Sequence, residues 1–177
     1  EAQLAFKQNK IRNSLVRIGD FAPESVDEAV EPIIGMEEPF RYRNKAQYPI
    51  GSDKEGNPIA GFYAGRTHDI IPNTDCYLGK ESNQVILEAI LSYMKKYHVS
   101  AYDENTCEGI VRHVLIREGF YTGEIMVCLV VNITPDKELP SANLFVEALR
   151  KIPAVGERIV SVCLNCNTED TNVILGR

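Results

Sequence analysis

Seven consecutive apolar residues, "IMVCLVV" from Ile125 to Val131, constrain this chain most. The run is far below the roughly 20 residues that a membrane-spanning helix needs, so it is a buried strand around which a core must form. At 177 residues the chain is long enough for one well-buried core, and a second, smaller unit is compatible with that length.

The elements around the strand follow from periodicity. Over residues 2–18, Leu4, Ile11, Leu15 and Ile18 fall on one stripe while Lys7, Lys10, Arg12 and Arg17 lie mainly off it, which predicts an amphipathic helix ending at Gly19. Strands are expected from Phe40 to Pro49 and from Ile59 to Ile71, joined by the turn "GSDKEGNP". Val85, Ile86, Ala89, Ile90, Tyr93, Met94 and Tyr97 give a helix over 81–98. Strands near 109–118 and 123–133 flank "EGFYTG" as a hairpin. Pro140 and Ser141 open a second core helix, with Leu144, Phe145, Ala148, Leu149 and Ile152 inward, that stops at Pro153 and Gly156. Strands near 158–165 and 172–175 follow.

From Ile59 onward the order is β-α-β-β-α-β. The expected class is α+β: a mainly antiparallel sheet with a ferredoxin-like core, plus the N-terminal helix and extra strands. Residues 1–38 read as that helix with an acidic linker, and 39–177 as a central α+β domain.

Charge is distributed unevenly. The formal net charge is -6, and between Asp20 and Pro39 there are acids but no Lys or Arg. The sign then reverses in "FRYRNKAQYPIG". On a strand, Arg41, Arg43 and Lys45 would point one way at intervals of about 6.6 to 6.8 Å, with Phe40, Tyr42, Ala46 and Tyr48 opposite. Such a row is either a solvated face neutralised by the acidic linker or a surface for polyphosphate, which guanidinium forks and ammonium groups both suit. Arg66 and His68 share a face with Phe62, and "VRHVLIREG" adds Arg112, His113 and Arg117. Gathered in one sheet, these would bind a single-stranded nucleic acid through phosphates and stacked bases.

The odd number of cysteines, 5 in a chain with no secretory leader, fits a reducing cytoplasm better than a disulfide framework. Cys163 and Cys166 form one C-x-x-C, which reads either as a strand end carrying two neutral thiols or as a thiol redox or metal site. Neither G-x-G-x-x-G nor G-x-x-x-x-G-K-[ST] occurs. The start at Glu1 and the stop just after "NVILG" suggest a piece of a longer protein.

Taken in order, "YRNKAQYPIG", "GFYAGRTHDII" with a cysteine after it, "GIVRHVLIREG", "TGEIMVCLVVN" and "DTNVILG" resemble the central region of the bacterial RNA (uracil-5-)-methyltransferases, closest to their 23S ribosomal RNA branch. The resemblance covers nearly the whole chain. It implies a parent enzyme with an RNA-binding TRAM barrel before this region and an S-adenosylmethionine-binding domain after it, both missing here. It further implies a cytoplasmic rRNA-processing transferase in which a cysteine thiolate adds to C6 of a flipped-out uracil, C5 takes the methyl group and a carboxylate removes the C5 proton. No residue here matches that nucleophile or base, so the resemblance implies no catalytic residue in this segment, which alone is expected to be inactive. Some members hold a [4Fe-4S] cluster, and Cys76 matches its fourth ligand, the other ligands lying before Glu1. For RNA contact the resemblance and the charge pattern together single out Arg41, Arg43, Asn44, Lys45, Gln47 and Arg66, with ribosomal RNA as partner and no membrane. A stand-alone α+β nucleic-acid-binding module, or a thiol protein using Cys163 and Cys166, are the rival readings.

Overall fold

The computed structural model describes residues Glu1 to Gly176. The chain divides into two compact units, Glu1–Pro39 and the residues from Phe40 onward. In the first, α1 (Ala2–Arg17) is followed by a short helix α2 (Pro23–Ala29), whose proline sits in the first turn where its missing N–H costs nothing. Arg12 ties the two together, its Nε and Nη2 donating to Asp27 at 2.5 and 2.7 Å, and this fork holds the Asp27 carboxyl below the usual carboxylate range. The linker read from the sequence thus contains one helix.

The second unit is a six-stranded sheet in the order β3-β2-β1-β4-β5-β6. Its strands are β1 (Lys45–Ser52), β2 (Pro58–Tyr63), β3 (Ile70–Pro72), β4 (Val111–Glu118), β5 (Ile125–Val131) and β6 (Ile159–Cys166). All neighbours are antiparallel except β5 and β6, which are joined through α4 (Ala142–Arg150). With α3 (Ser82–Lys96), α4 covers one face. Tyr48 and Ile50 of β1, Val114 and Ile116 of β4, and Ile125, Val127, Leu129 and Val131 of β5 point into this core with Ile86, Leu87, Ile90, Phe145 and Leu149 of the helices. The apolar run is therefore a buried interior strand, as its composition demands, and the fold is α+β.

The connectivity differs from a ferredoxin-like split arrangement. There, the third strand of the pattern lies between the two that flank the first helix and the fourth pairs with the first; here β1 takes that place between β2 and β4, β5 lies outside β4, and β6 joins the far edge in parallel to β5. β1 also starts later and runs further than expected. Pro49 reads as a strand end because it lacks the N–H that a ladder requires. In the structure Pro49 is the last residue to pair with β4, and Ile50 the first to pair with β2, so the missing donor falls where the strand exchanges partners. The segment expected as one strand from Ile59 to Ile71 is a hairpin, β2 and β3 around a turn at Arg66, where φ is 68°. No strand forms at 172–175. That stretch is held instead by side-chain amides: Asn167 Nδ2 donates to the carbonyls of Val173 and Ile174, and Asn165 Oδ1 accepts from Gly176 N–H.

Candidate nucleic-acid interface

The ladder imagined for Arg41, Arg43 and Lys45 needs a continuous strand, and the backbone breaks it. Arg41 has φ 55°, in the left-handed region, and lies ahead of β1. Its guanidinium turns back into the protein, with Nη1 donating to Asp75 Oδ1 at 2.7 Å and to the carbonyls of Cys76 and Gly79 at 3.0 and 3.2 Å. Arg41 thus shapes the loop that carries Cys76. Arg43 and Lys45 are different. Arg43 N–H donates to Leu78 O, which sets it beside Gly79, and its side chain is exposed. Lys45 opens β1 directly opposite Arg117 at the end of β4. Among the described residues, Arg43, Lys45 and Arg117 have no carboxylate partner.

Asn44 is exposed and its carbonyl accepts from Glu118 N–H, while Gln47 is half-buried opposite Leu115. Arg66 is exposed on the β2–β3 turn. Continuing the β1–β2 register, in which Ile50 meets Ala60, brings that turn to the same end of the sheet as Lys45. The sheet therefore gathers Arg43, Lys45, Arg66 and Arg117 at one end although the strand itself does not. Opposed cations such as Lys45 and Arg117 repel each other across a strand pair, and an anion docked between them relieves this.

Other titratable groups have interior roles. Arg112 is buried over the Tyr102 ring, and its Nη1 donates to the carbonyls of Asn167 and Glu169. His113, beside it, is 6% exposed, and its Nδ1 has no hydrogen-bond partner among the described residues. Burial and the adjacent Arg112 charge push its pKa down to about 4. The folded state therefore keeps His113 neutral while the unfolded chain takes up a proton below about pH 6.5. Stability should fall as pH drops from 6.5 towards 4, by on the order of 3 kcal/mol for this group. Urea midpoints at pH 7.5 and 5 check this: His113→Asn should flatten the difference, and an equal drop in both proteins would exclude His113 as its source. His68 pairs with Glu104, which also accepts from Tyr63 Oη at 3.0 Å.

The cysteines do not converge. On β6, Cys163 and Cys166 are an odd number of residues apart and face opposite sides of the sheet, Cys166 packing against the core and Cys163 exposed. Cys163 is instead paired in register with Cys128 of β5. Burial, and then a hydrogen bond with Cys163, push the Cys128 thiol up to about 12, so it is protonated and unreactive. Among the described residues no three His, Cys, Asp or Glu side chains gather as a metal site. Cys76 stands apart from the other cysteines, so the residues present do not by themselves fit an iron–sulfur cluster. A groove of about 460 Å³ lies between α3 and α4, lined by Tyr93, Lys96, Tyr97 and Lys151. No helix among the described residues is long and apolar enough to cross a membrane.

What sequence reasoning missed lies at the same end of the sheet. Phe120 and Tyr121, on the turn between β4 and β5, are 62% and 102% exposed. Lys80 Nζ lies 4.0 Å from the centre of the Phe120 ring. Both aromatics stand in the quoted "EGFYTG", but a hairpin turn alone does not reveal that cations from two other segments meet it.

No family model matches the chain. A Clostridium tetani protein named "Uncharacterized RNA methyltransferase" is 41% identical over 175 residues, which is 99% of this chain and 35% of the relative. A Bacillus cereus protein of the same name is 40% identical over 99% of this chain and 36% of its own length. One from Staphylococcus aureus is 35% identical over 100% of this chain and 37% of its own. The crystal structure of Pyrococcus abyssi tRNA (uracil-54, C5)-methyltransferase in complex with S-adenosyl-L-homocysteine shares the fold, with TM-score 0.71 at 22% identity over 99% of this chain and 36% of that one. This chain spans little more than a third of the length of each. Over its whole length, then, the chain is similar to about a third of several bacterial proteins named as RNA methyltransferases, in keeping with the resemblance carried by its motifs.

Proposed function

We propose that the chain is the RNA-gripping region of a cytoplasmic, S-adenosylmethionine-dependent 23S ribosomal RNA uracil-C5 methyltransferase. Residues 39–177 form the gripping domain, and the bond-making groups are supplied by other parts of the parent enzyme. One observation carries the reading: Arg43, Lys45 and Arg117 come to one end of the sheet without a carboxylate partner among the described residues, in a chain of net charge -6. Homology to proteins named as RNA methyltransferases supports RNA as the polyanion that lies there.

The work of such a region is mechanical. A target base must leave its stack before its ring atoms can be reached, and that conformer is held only if the flanking phosphates are fixed. Arg43 and Arg117 offer forked donors to phosphate oxygens, and Lys45 a mobile point charge between them. Asn44, Gln47 and Arg66 add polar contacts along the same edge. Arg41 acts through the loop it holds, placing Cys76 as this segment's one contribution to any cluster in the parent.

The triple variant Arg43→Ala, Lys45→Ala, Arg117→Ala tests the proposal. Its affinity for a single-stranded 23S ribosomal RNA oligonucleotide should fall by about a hundredfold. The slope of log K against log salt should flatten by about 2, three lost phosphate contacts at about 0.7 each. Unchanged affinity and slope would exclude the interface.

A further inference from the structure

The β4–β5 turn presents an aromatic pair that the phosphate-binding role does not use. A fully exposed tyrosine next to a largely exposed phenylalanine is an unusual place for so much apolar area, and here the backbone beneath them is held tightly. Gly119 N–H donates to Glu124 O, Gly123 N–H donates to Gly119 O, and Arg158 Nε donates to Gly123 O at 2.9 Å. Gly123, at φ 69°, supplies the left-handed residue that closes the turn. Arg158 is fixed in its turn by Glu118 at 2.5 Å, and Glu118 also accepts from Ser82 at the start of α3. That last link brings the segment before α3, with Lys80, against Phe120.

The result is a pair of exposed rings on a firmly held backbone turn, with an ammonium over Phe120 and Arg117 of β4 three residues before it in the chain. Flat apolar faces bordered by cations match one chemistry, that of a nucleobase joined to its phosphates. A protein partner held by aromatics of this kind would be met by a surrounding apolar surface, whereas the group over the Phe120 ring is the Lys80 ammonium and the turn follows directly on the Lys45–Arg117 pair of β1 and β4.

We propose that Phe120 and Tyr121 form a stacking platform for an unpaired RNA base, with Lys80 and Arg117 positioned for the phosphates beside it. The proposal rests on RNA binding at this end of the sheet and adds to it a second mode, stacking, which selects single strands over duplexes. A base inside a duplex has no free face to offer.

The chain contains no tryptophan, which provides a direct readout. Phe120→Trp and Tyr121→Trp each install a sole indole at the platform. Titration with a decamer of single-stranded oligoadenylate should quench its emission by half or more, and a blunt duplex of equal length should leave it nearly unchanged. Phe120→Ala with Tyr121→Ala should weaken single-strand binding about five- to a hundredfold without altering the salt slope, because stacking releases no counterions. Binding without quenching, or alanine variants of undiminished affinity, would overturn the platform while leaving the phosphate interface standing. Emission that changes with protein concentration in the absence of RNA would assign the rings to a second copy of the chain and overturn it equally. If neither the parent chain nor the indole variants bind RNA, the platform and the interface both fall.

Discussion

Phe145→Ala should cost the fold about 3–5 kcal/mol, enough to unfold a large share of molecules in a domain of ordinary stability. Phe145 of α4 is 2% exposed, and its ring lies 5.1 Å from that of Tyr93 on α3. Tyr93 is itself fixed, its hydroxyl donating to Pro140 O just before α4, and burial pushes its pKa up to about 12. Removing the phenyl ring therefore leaves a void between two helices that cannot close, since Tyr93 is anchored on its other side. Leu149, one turn further along α4 and fully buried, would be left packing against that void. A urea midpoint lower by roughly 2 M, at an m value of about 2 kcal/mol/M, is the expected result. A change below about 1 kcal/mol would mean that the α3–α4 layer collapses to fill the space, and that this part of the core is less rigid than its packing indicates.

Gly109→Ala should be nearly as damaging, at about 3 kcal/mol or more, for a backbone reason. Gly109 has φ 99°, and a β-carbon there would lie 2.0 Å from Ala101 O. Neither side can yield easily. Ala101 bridges to Val111, Tyr102 N–H donates to Val111 O, and Gly109 O accepts from Asn132 Nδ2 at 3.1 Å. The loop 101–109 also carries Tyr102 onto Arg112 and Glu104 onto Tyr63 and His68. Its displacement should thus raise hydrogen exchange in β4 as well as in the loop. Thermal melting of the variant gives the magnitude, and a melting temperature equal to that of the parent would show that the loop relaxes independently of the sheet.

Several parts of this protein were legible because the information is local. The period of apolar residues in α3 and α4 and the unbroken run in β5 depend only on neighbours along the chain, and they placed those elements within a few residues of where they lie. The turn "GSDKEGNP" was legible for the same reason: Asp53 Oδ1 accepts from the N–H groups of Glu55 and Asn57, a bond pattern that Asp in a short turn forms by itself. Arg43 and Lys45 could be named from charge alone. Arg41 could not be separated from them, since its fate depends on Asp75 and Gly79, which approach only when the loop before α3 folds back.

By itself, then, the sequence determined the class of the fold, its buried strand, its two core helices and its kinship with RNA methyltransferases. Tertiary structure alone decided that β1 lies between β2 and β4, that Cys163 neighbours Cys128 rather than Cys166, that Arg117 lies opposite Lys45, and that Lys80 lies over the Phe120 ring. The division has one physical cause. Periodicity is imposed by the geometry of each element, whereas strand pairing and side-chain clustering are set by contacts between segments far apart in the chain, whose free energies no short stretch of sequence contains.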